Sequence, residues 1–113
     1  MPWGSIEVEP EVEHWLESLP IAEFGQAAFH IDLLAERGVG LGEPYTKQLI
    51  GKLRELRFYV GGQATRISYF FAGGRRIILL TVFTKKRQRE RGEVERAKRA
   101  MEKCIAEGHT AEE

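Results

Sequence analysis

The stretch from residue 53 to residue 85, LRELRFYVGGQATRISYFFAGGRRIILLTVFTK, decides the fold of this chain. It contains three runs of apolar, aromatic and alternating residues, and a glycine pair separates each run from the next. Glycine tolerates the positive φ angles that tight hairpin loops require. The pattern therefore predicts three consecutive antiparallel strands, at residues 53–58, 65–72 and 76–85. The third run is almost continuously apolar, which predicts a central strand covered on both sides.

Helical patterns flank these strands. Residues 11–19 and 21–38 place their apolar side chains at helical spacing on either side of Pro20, which predicts an antiparallel helical hairpin. The alternation at residues 5–9 predicts a short first strand. A final helix is predicted at about residues 90–107.

This order predicts an α+β fold in a single domain spanning residues 1–113. An N-terminal strand and the helical hairpin would pack on a mainly antiparallel β-sheet, followed by a C-terminal helix. We expect residues 109–113 to form a frayed tail.

Composition limits the classes of function. Of the 113 residues, 42% are hydrophobic and 30% are charged, the balance of an ordinary globular domain. No apolar run approaches the roughly 18 residues of a membrane helix, and the first residues show no signal-peptide pattern. The single cysteine, Cys104, excludes an internal disulfide and a cysteine-based zinc framework. We therefore expect a cytoplasmic protein with no membrane partner, metal or small-molecule cofactor.

The charges cancel overall but are segregated along the chain. Residues 1–46 carry nine acids and one base, whereas residues 47–99 carry fifteen bases and four acids, a net charge of +11. A basic block of this kind attracts phosphates, although charge runs also occur as ordinary solvated surface. The position of the block within the fold has to separate these interpretations.

Pairing the strands around the glycine pairs predicts which side chains share a face. With Gly61-Gly62 as the loop, Arg57 opposes Arg66. With Gly73-Gly74 as a two-residue loop, Ser68 opposes Leu79. Because side chains alternate along a strand, one face then holds Glu55, Arg57, Arg66, Ser68, Thr81, Phe83 and, just beyond the strand, Lys85.

The other face is the predicted core face, which we expect the helical hairpin to cover. Its members are Leu56, Phe58, Ile67, Tyr69, Ile78, Leu80 and Val82. Three further residues, Phe70, Ile77 and Leu79, are predicted to form an exposed apolar end of the basic face, where the C-terminal helix or a partner could bind.

Two arginines directly opposed on a sheet repel each other by roughly a few tenths of a kcal/mol. One explanation is structural, with Glu55 neutralising one of them. The other is an anion site, in which Arg57, Arg66 and Lys85 converge on a phosphate that each guanidinium can bind bidentately. Further phosphate contacts are predicted from Lys52 and Arg54 on the flank, and from Lys86, Arg87 and Arg89 at the strand exit.

Three segments carry a resemblance to a known family: KLRELRF at residues 52–58, RISYFF at 66–71 and LLTVFTKK at 79–86. Together with the basic final helix, which includes Glu93 and Ala97-Lys98, they resemble the phage-derived, HigB-type branch of the RelE/ParE toxin superfamily. The resemblance covers nearly the whole chain and is firmest from about residue 47 to residue 99.

The resemblance implies the toxin of a type II toxin–antitoxin system. Such a toxin pairs with a helix-turn-helix antitoxin and cleaves mRNA on the ribosome without a metal. It implies that Arg57 and Arg66 bind the scissile phosphate, and that Lys85 and Lys86 stabilise charge or transfer a proton.

The chain departs from better-known members in its candidate acids and bases. Some members use a tyrosine or histidine near the C-terminal end, whereas His109, in the expected tail, is the only such residue after Phe83. His14 and His30 are predicted to lie on helices away from the basic face. The general acid and base therefore stay unassigned. A ParE-like inhibitor of DNA gyrase and a non-catalytic nucleic-acid-binding module remain as alternative functions.

Overall fold

The computed structural model describes residues 2–85 and 91–108. The elements are β1 (Ser5–Val8), α1 (Pro10–Glu17), α2 (Ile21–Arg37), β2 (Thr46–Ile50), β3 (Leu53–Val60), β4 (Gln63–Ala72), β5 (Arg76–Thr84) and α3 (Arg91–Ala106). The α+β class and the order of the predicted elements are confirmed. The predicted tail at residues 109–113 lies outside the described residues.

One five-stranded sheet, in the order β1-β5-β4-β3-β2, organises the fold. β1 pairs in parallel with β5, and every other neighbouring pair is antiparallel. The sequence did not predict β2. Its residues, TKQLI, show neither an apolar run nor the clean alternation of a half-buried strand, because only Thr46 of this edge strand is buried and the other positions need not be apolar.

The β3–β4 hairpin has the predicted register. Val60 pairs with Gln63 across the loop, and Arg57 lies opposite Arg66. Gly61 and Gly62 adopt φ angles of 57° and 79°, the left-handed conformation that a two-residue hairpin loop requires. The predicted opposition of the two arginines is confirmed.

The β4–β5 hairpin differs from its prediction in two ways. Ala72 pairs with Arg76, so the loop has three residues rather than two, and Arg75 within it has a φ of 58°. Further along, Tyr69 pairs with Leu79 but Ser68 pairs with Thr81, which leaves Leu80 as a β-bulge. Because of the three-residue loop, the β5 residues next to the hairpin lie on the face opposite to the predicted one. The bulge shifts the register once more, so the residues from Thr81 onward lie on their predicted faces.

The helices cover both faces of the sheet. α1 and α2 cover one face, where Leu56, Ile67, Tyr69, Ile77 and Leu79 form the larger core. α3 packs on part of the other face through Ala97 and Cys104, against the smaller core of Leu53, Phe70, Ala72, Ile78 and Leu80.

Some expectations about burial are therefore wrong. Ile78 and Leu80 lie under α3 rather than under the helical hairpin, whereas Ile77 and Leu79 belong to the hairpin side. The predicted apolar end of the basic face is also different: Ile77 and Leu79 lie on the hairpin side, whereas Phe70 keeps its predicted face and is buried by the C-terminal helix α3, one of the two expected contacts. For the β5 residues, the physical reason is the shift of one residue at the β4–β5 loop, since such a shift turns each side chain to the opposite face.

An ion pair secures α3 at the edge of β5. β1 pairs with β5 only as far as Leu79, so Val82 lies beyond the end of β1. The Val82 amide donates to Glu11 Oε2 over 3.0 Å, and its carbonyl accepts from Arg96 Nη2 over 3.3 Å. Arg96 also bonds the Glu11 carboxylate, which raises the pKa of Arg96 above its ordinary value. Side chains from α1 and α3 thus provide hydrogen-bond partners for the backbone amide and carbonyl of Val82 at the edge of β5.

Replacing Arg96 by alanine should loosen α3. We expect Arg96→Ala to lower the free energy of unfolding by about 1 kcal/mol, because the half-exposed pair is partly screened by water. Urea denaturation measures this change, with Arg99→Ala on the exposed side of α3 as the matched control. Equal stability of the two variants would contradict the proposed contribution.

Candidate nucleic-acid interface

The three predicted catalytic cations meet in one cavity, here called the basic pocket. Arg57 comes from β3, Arg66 from β4, and Lys85 directly follows β5. The pocket has a volume of about 250 Å³. Its lining consists of Lys47, Leu49, Glu55, Arg57, Arg66, Phe83, Lys85, Arg91 and Val94.

Glu55 lies between the two opposed arginines. Its Oε1 atom is 3.7 Å from Arg57 Nε and 3.6 Å from Arg66 Nε. The structural explanation of the arginine pair is thus present in the geometry, and the carboxylate serves both arginines rather than one. Among the described residues, the pocket lining nevertheless has five cationic side chains against one carboxylate. Its surplus positive charge suits an anion.

Burial strengthens the electrostatics of the pocket. Arg66 and Glu55 are each only 9% exposed. Arg57 Nε is buried and has no hydrogen-bond partner among residues 2–85 and 91–108. A buried donor without an acceptor costs free energy, on the order of 1–3 kcal/mol. A phosphate oxygen that entered the pocket could accept from such a donor.

The Ser68 and Thr81 hydroxyl groups, on the same face as the arginines, form a hydrogen bond with each other. Ser68 Oγ and Thr81 Oγ1 are 2.5 Å apart, and Ser68 Oγ also accepts from the Thr81 amide over 3.0 Å. Both residues are buried. These bonds fix β4 to β5 next to the Leu80 bulge, so the two hydroxyls have a structural role here.

A second cavity adjoins the basic pocket and shares two of its residues. This aromatic cleft has a volume of about 460 Å³ and is lined by His30, Pro44, Tyr45, Arg57, Phe58, Tyr59 and Arg66. The His30 ring stacks on Phe58 with ring centres 4.8 Å apart. As predicted, His30 lies away from the basic face, because α2 covers the opposite side of the sheet. Its ring nevertheless reaches the edge cleft that Arg57 and Arg66 also line.

A family model described as phage-derived protein Gp49-like (DUF891) matches residues 14–102. The chain belongs to this Gp49-like family. No curated protein matches it. Among solved structures, it is similar to a chain from the RelBE2 toxin–antitoxin complex of Mycobacterium tuberculosis, with a TM-score of 0.52 and 15% identity. The match covers 75% of this chain and 100% of the other. At that identity the likeness shows the fold, and the predicted RelE-like fold is confirmed.

Two predicted phosphate contacts of this Gp49-like chain lie elsewhere. Arg54 is on the opposite face of β3, because it lies three positions before Arg57 and side chains alternate along a strand. Its Nε donates to Tyr69 Oη and its Nη2 to Thr46 Oγ1, both over 3.3 Å. Lys52, in the β2–β3 turn, lines a separate cavity with Arg54. The structure therefore does not bring Lys52 and Arg54 to the basic pocket.

Two cations of the basic pocket were missed from the sequence. Lys47 lies opposite Glu55 on β2, the strand that was not predicted. Arg91 is the first residue of α3. Lys47 begins the basic block of the sequence, which was a usable signal. The face of the sheet on which Lys47 lies could not be assigned, however, because β2 was not predicted. The predicted residues Lys86, Arg87 and Arg89, and also His109, lie outside the described residues.

Metal-binding and membrane-spanning features are absent from the parts of the Gp49-like chain that the structure describes. Residues 2–85 and 91–108 contain no group of three histidine, cysteine or acidic side chains that could hold a metal ion. Within the same ranges, no helix has the length and apolar character needed to cross a membrane. The Cys104 thiol is buried against the sheet, and burial raises its pKa to about 11.

Removing the Glu55 carboxylate should make the fold depend more strongly on bound anions. We expect Glu55→Gln to lose on the order of 1–3 kcal/mol of unfolding free energy, because Arg57 and Arg66 then face each other without a counter-charge. Inorganic phosphate should restore part of this loss by binding the folded state. The measurement is the thermal midpoint at increasing phosphate concentration.

The matched control is Glu17→Gln, which removes an exposed carboxylate of α1. Phosphate should raise the midpoint of Glu55→Gln more than that of the wild type or of this control. The same phosphate response in all three proteins would argue against an anion site at the arginine pair.

Proposed function

We propose that this chain is the toxin of a type II toxin–antitoxin system and that it cleaves mRNA on the ribosome without a metal. The observation that carries the proposal is the convergence of Arg57, Arg66 and Lys85 in the basic pocket. A purely structural charge pair would not need the additional cations Lys47 and Arg91. Membership of the Gp49-like family and the RelE-like fold are consistent with the proposal.

The cleavage chemistry needs no group beyond the RNA and the protein. The 2′-oxygen of one nucleotide attacks the adjacent phosphorus atom, and the bond from phosphorus to the 5′-oxygen of the next nucleotide breaks. Negative charge builds up on the non-bridging oxygens as the new bond forms. Arg57 and Arg66 would bind these oxygens, and preorganised cations of this kind stabilise the transition state.

Lys85 completes the catalytic proposal. It would stabilise the leaving 5′-oxygen or transfer a proton to it, with Lys86 as a further candidate for either role. Arg87 and Arg89 would extend the contact to neighbouring phosphates. The general acid and base are left open, because His109 lies outside the described residues, and His30 lines the aromatic cleft and not the basic pocket.

The partners follow from the same proposal. The similar solved structure is that of a toxin–antitoxin complex, which supports an antitoxin as the protein that covers this chain. We propose a helix-turn-helix antitoxin, mRNA on the ribosome as substrate and the cytoplasm as location. No small-molecule cofactor or membrane is part of the mechanism.

The central test compares Arg57→Ala and Arg66→Ala with the wild type. Each substitution should lower the rate of mRNA cleavage by roughly 10²–10³-fold, the usual effect of removing one positioned transition-state donor. The rate is measured in a translation reaction by mapping mRNA ends, and growth inhibition on expression should disappear in parallel. Arg99→Ala, an exposed arginine of α3 outside the pocket, is the matched control.

The same reaction separates the alternative functions. Cleavage that persists in both variants would exclude the proposed site. Intact mRNA together with inhibited DNA supercoiling would identify a ParE-like gyrase inhibitor, which has no need of a phosphate-activating cluster. Salt-dependent RNA binding without cleavage or gyrase inhibition would identify a non-catalytic binding module.

A further inference from the structure

The aromatic cleft lies immediately beside the proposed phosphate site. Arg57 and Arg66 line both this cleft and the basic pocket. A phosphate bound by the two arginines would therefore have one of its nucleosides at the mouth of the cleft. The cleft lining has two cations and no carboxylate among the described residues, so its charge also suits nucleic acid.

The cleft exists because β2 stops short of the end of β3. The last sheet pair is Thr46 with Leu56, and the Arg57 amide then donates to the Tyr45 carbonyl over 2.8 Å. Beyond that bond, within the described residues, β3 has a strand neighbour only on its β4 side. This open edge leaves room for the cleft, which Tyr45 and His30 of α2 both line.

Aromatic rings with accessible surface line the opening. Tyr45 is 40% exposed and Tyr59 is 68% exposed. Tyr59 lies two residues after Arg57 on β3, so both side chains are on the same face. Single exposed aromatic residues are common on protein surfaces, but two that flank an arginine pair form a surface of the type that binds unpaired bases.

His30 adds a polar group to the cleft. Its ring is held by stacking on Phe58, and its Nδ1 atom lies 2.9 Å from the Gln26 carbonyl oxygen. Because a carbonyl only accepts hydrogen bonds, Nδ1 carries the proton, and Nε2 is an acceptor in the neutral ring. His30 Nε2 could thus accept a hydrogen bond from an amino or imino group on the edge of a base.

We propose that the aromatic cleft binds the nucleobase adjacent to the phosphate held by Arg57 and Arg66, with the Tyr45 ring as the stacking surface. The inference rests on the proposed function of RNA binding and adds a base subsite to it. Single-stranded RNA is the fitting ligand, because its bases are free to leave the stack and pack on aromatic side chains.

The test uses two short 2′-O-methyl RNA oligonucleotides with identical phosphates, one complete and one with abasic positions. The methyl group blocks the attacking oxygen, so binding is measured without cleavage. At low salt, fluorescence anisotropy should show about tenfold weaker binding of the wild type to the abasic probe. Tyr45→Ala should bind the complete probe about tenfold more weakly than the wild type does. The two proteins should bind the abasic probe with the same affinity.

Two variants separate stacking from a change in folding. Tyr45→Phe keeps the aromatic ring and should retain the affinity of the wild type for the complete probe. Phe24→Ala removes an aromatic side chain that is 45% exposed but lies outside the cleft, and its affinities should be unchanged. Arg57→Ala, in contrast, should weaken binding of both probes, because both contain the phosphates.

Several results would overturn the base subsite. They are an unchanged affinity of Tyr45→Ala for the complete probe, an equal loss on both probes, and a loss of antitoxin binding with RNA affinity preserved. The last result would make the cleft a protein-docking surface. A wild type that distinguishes the probes through Tyr45 but leaves mRNA intact would support the subsite and refute the nuclease. Cleavage without any preference for the complete probe would refute the subsite alone.

Discussion

Arg57 and Arg66 face each other across β3 and β4, and the geometry of the basic pocket depends on this opposition. Like charges in such positions repel, so the fold has to hold them there. The same two strands place Leu56 opposite Ile67 on the other face, where both are fully buried. A slip of one residue would exchange apolar and charged side chains between the faces. Burying unpaired arginines in the core would cost far more than their mutual repulsion.

Glu55 reduces the repulsion without cancelling the positive charge of the pocket. Its carboxylate lies within 4 Å of both guanidinium Nε atoms, while Lys47, Lys85 and Arg91 in the pocket lining add further positive charge. The carboxylate is thus compatible with both explanations of the arginine pair. It stabilises the opposed arginines, and the surplus of cations in the lining favours the binding of phosphate.

The β3–β4 hairpin and the arginine pair were predictable because two adjacent glycines specify a loop with one register. The β4–β5 hairpin was not, because its three-residue loop places Arg75 at positive φ, a conformation that non-glycine residues rarely adopt. The Leu80 bulge left no trace in a continuously apolar run. The bulge shifts the pairing by a further residue. Arg66, Thr81 and Phe83 therefore share a face as predicted, whereas each of the residues 77–80 lies on the face opposite to the predicted one.

The remaining errors at the site have a common origin in the edge of the sheet. β2 is short and mostly exposed, so Lys47 could not be assigned to a face, and the aromatic cleft that begins at Tyr45 could not be anticipated. Arg54 was grouped with its neighbours by charge, although strand alternation alone places it on the other face. Along β3, the alternation of side chains therefore predicts the face of a residue better than the charge of its neighbours does.

The most direct test of the central claim observes the two guanidinium groups themselves. Arginine Nε–H resonances of the ¹⁵N-labelled protein, assigned with Arg57→Lys and Arg66→Lys, would be followed by NMR during titration with inorganic phosphate. If both arginines bind a single anion, their resonances should shift together along one saturation curve, and the Arg54 resonance should stay in place. Independent curves for Arg57 and Arg66, or no shift of either, would contradict a shared phosphate site.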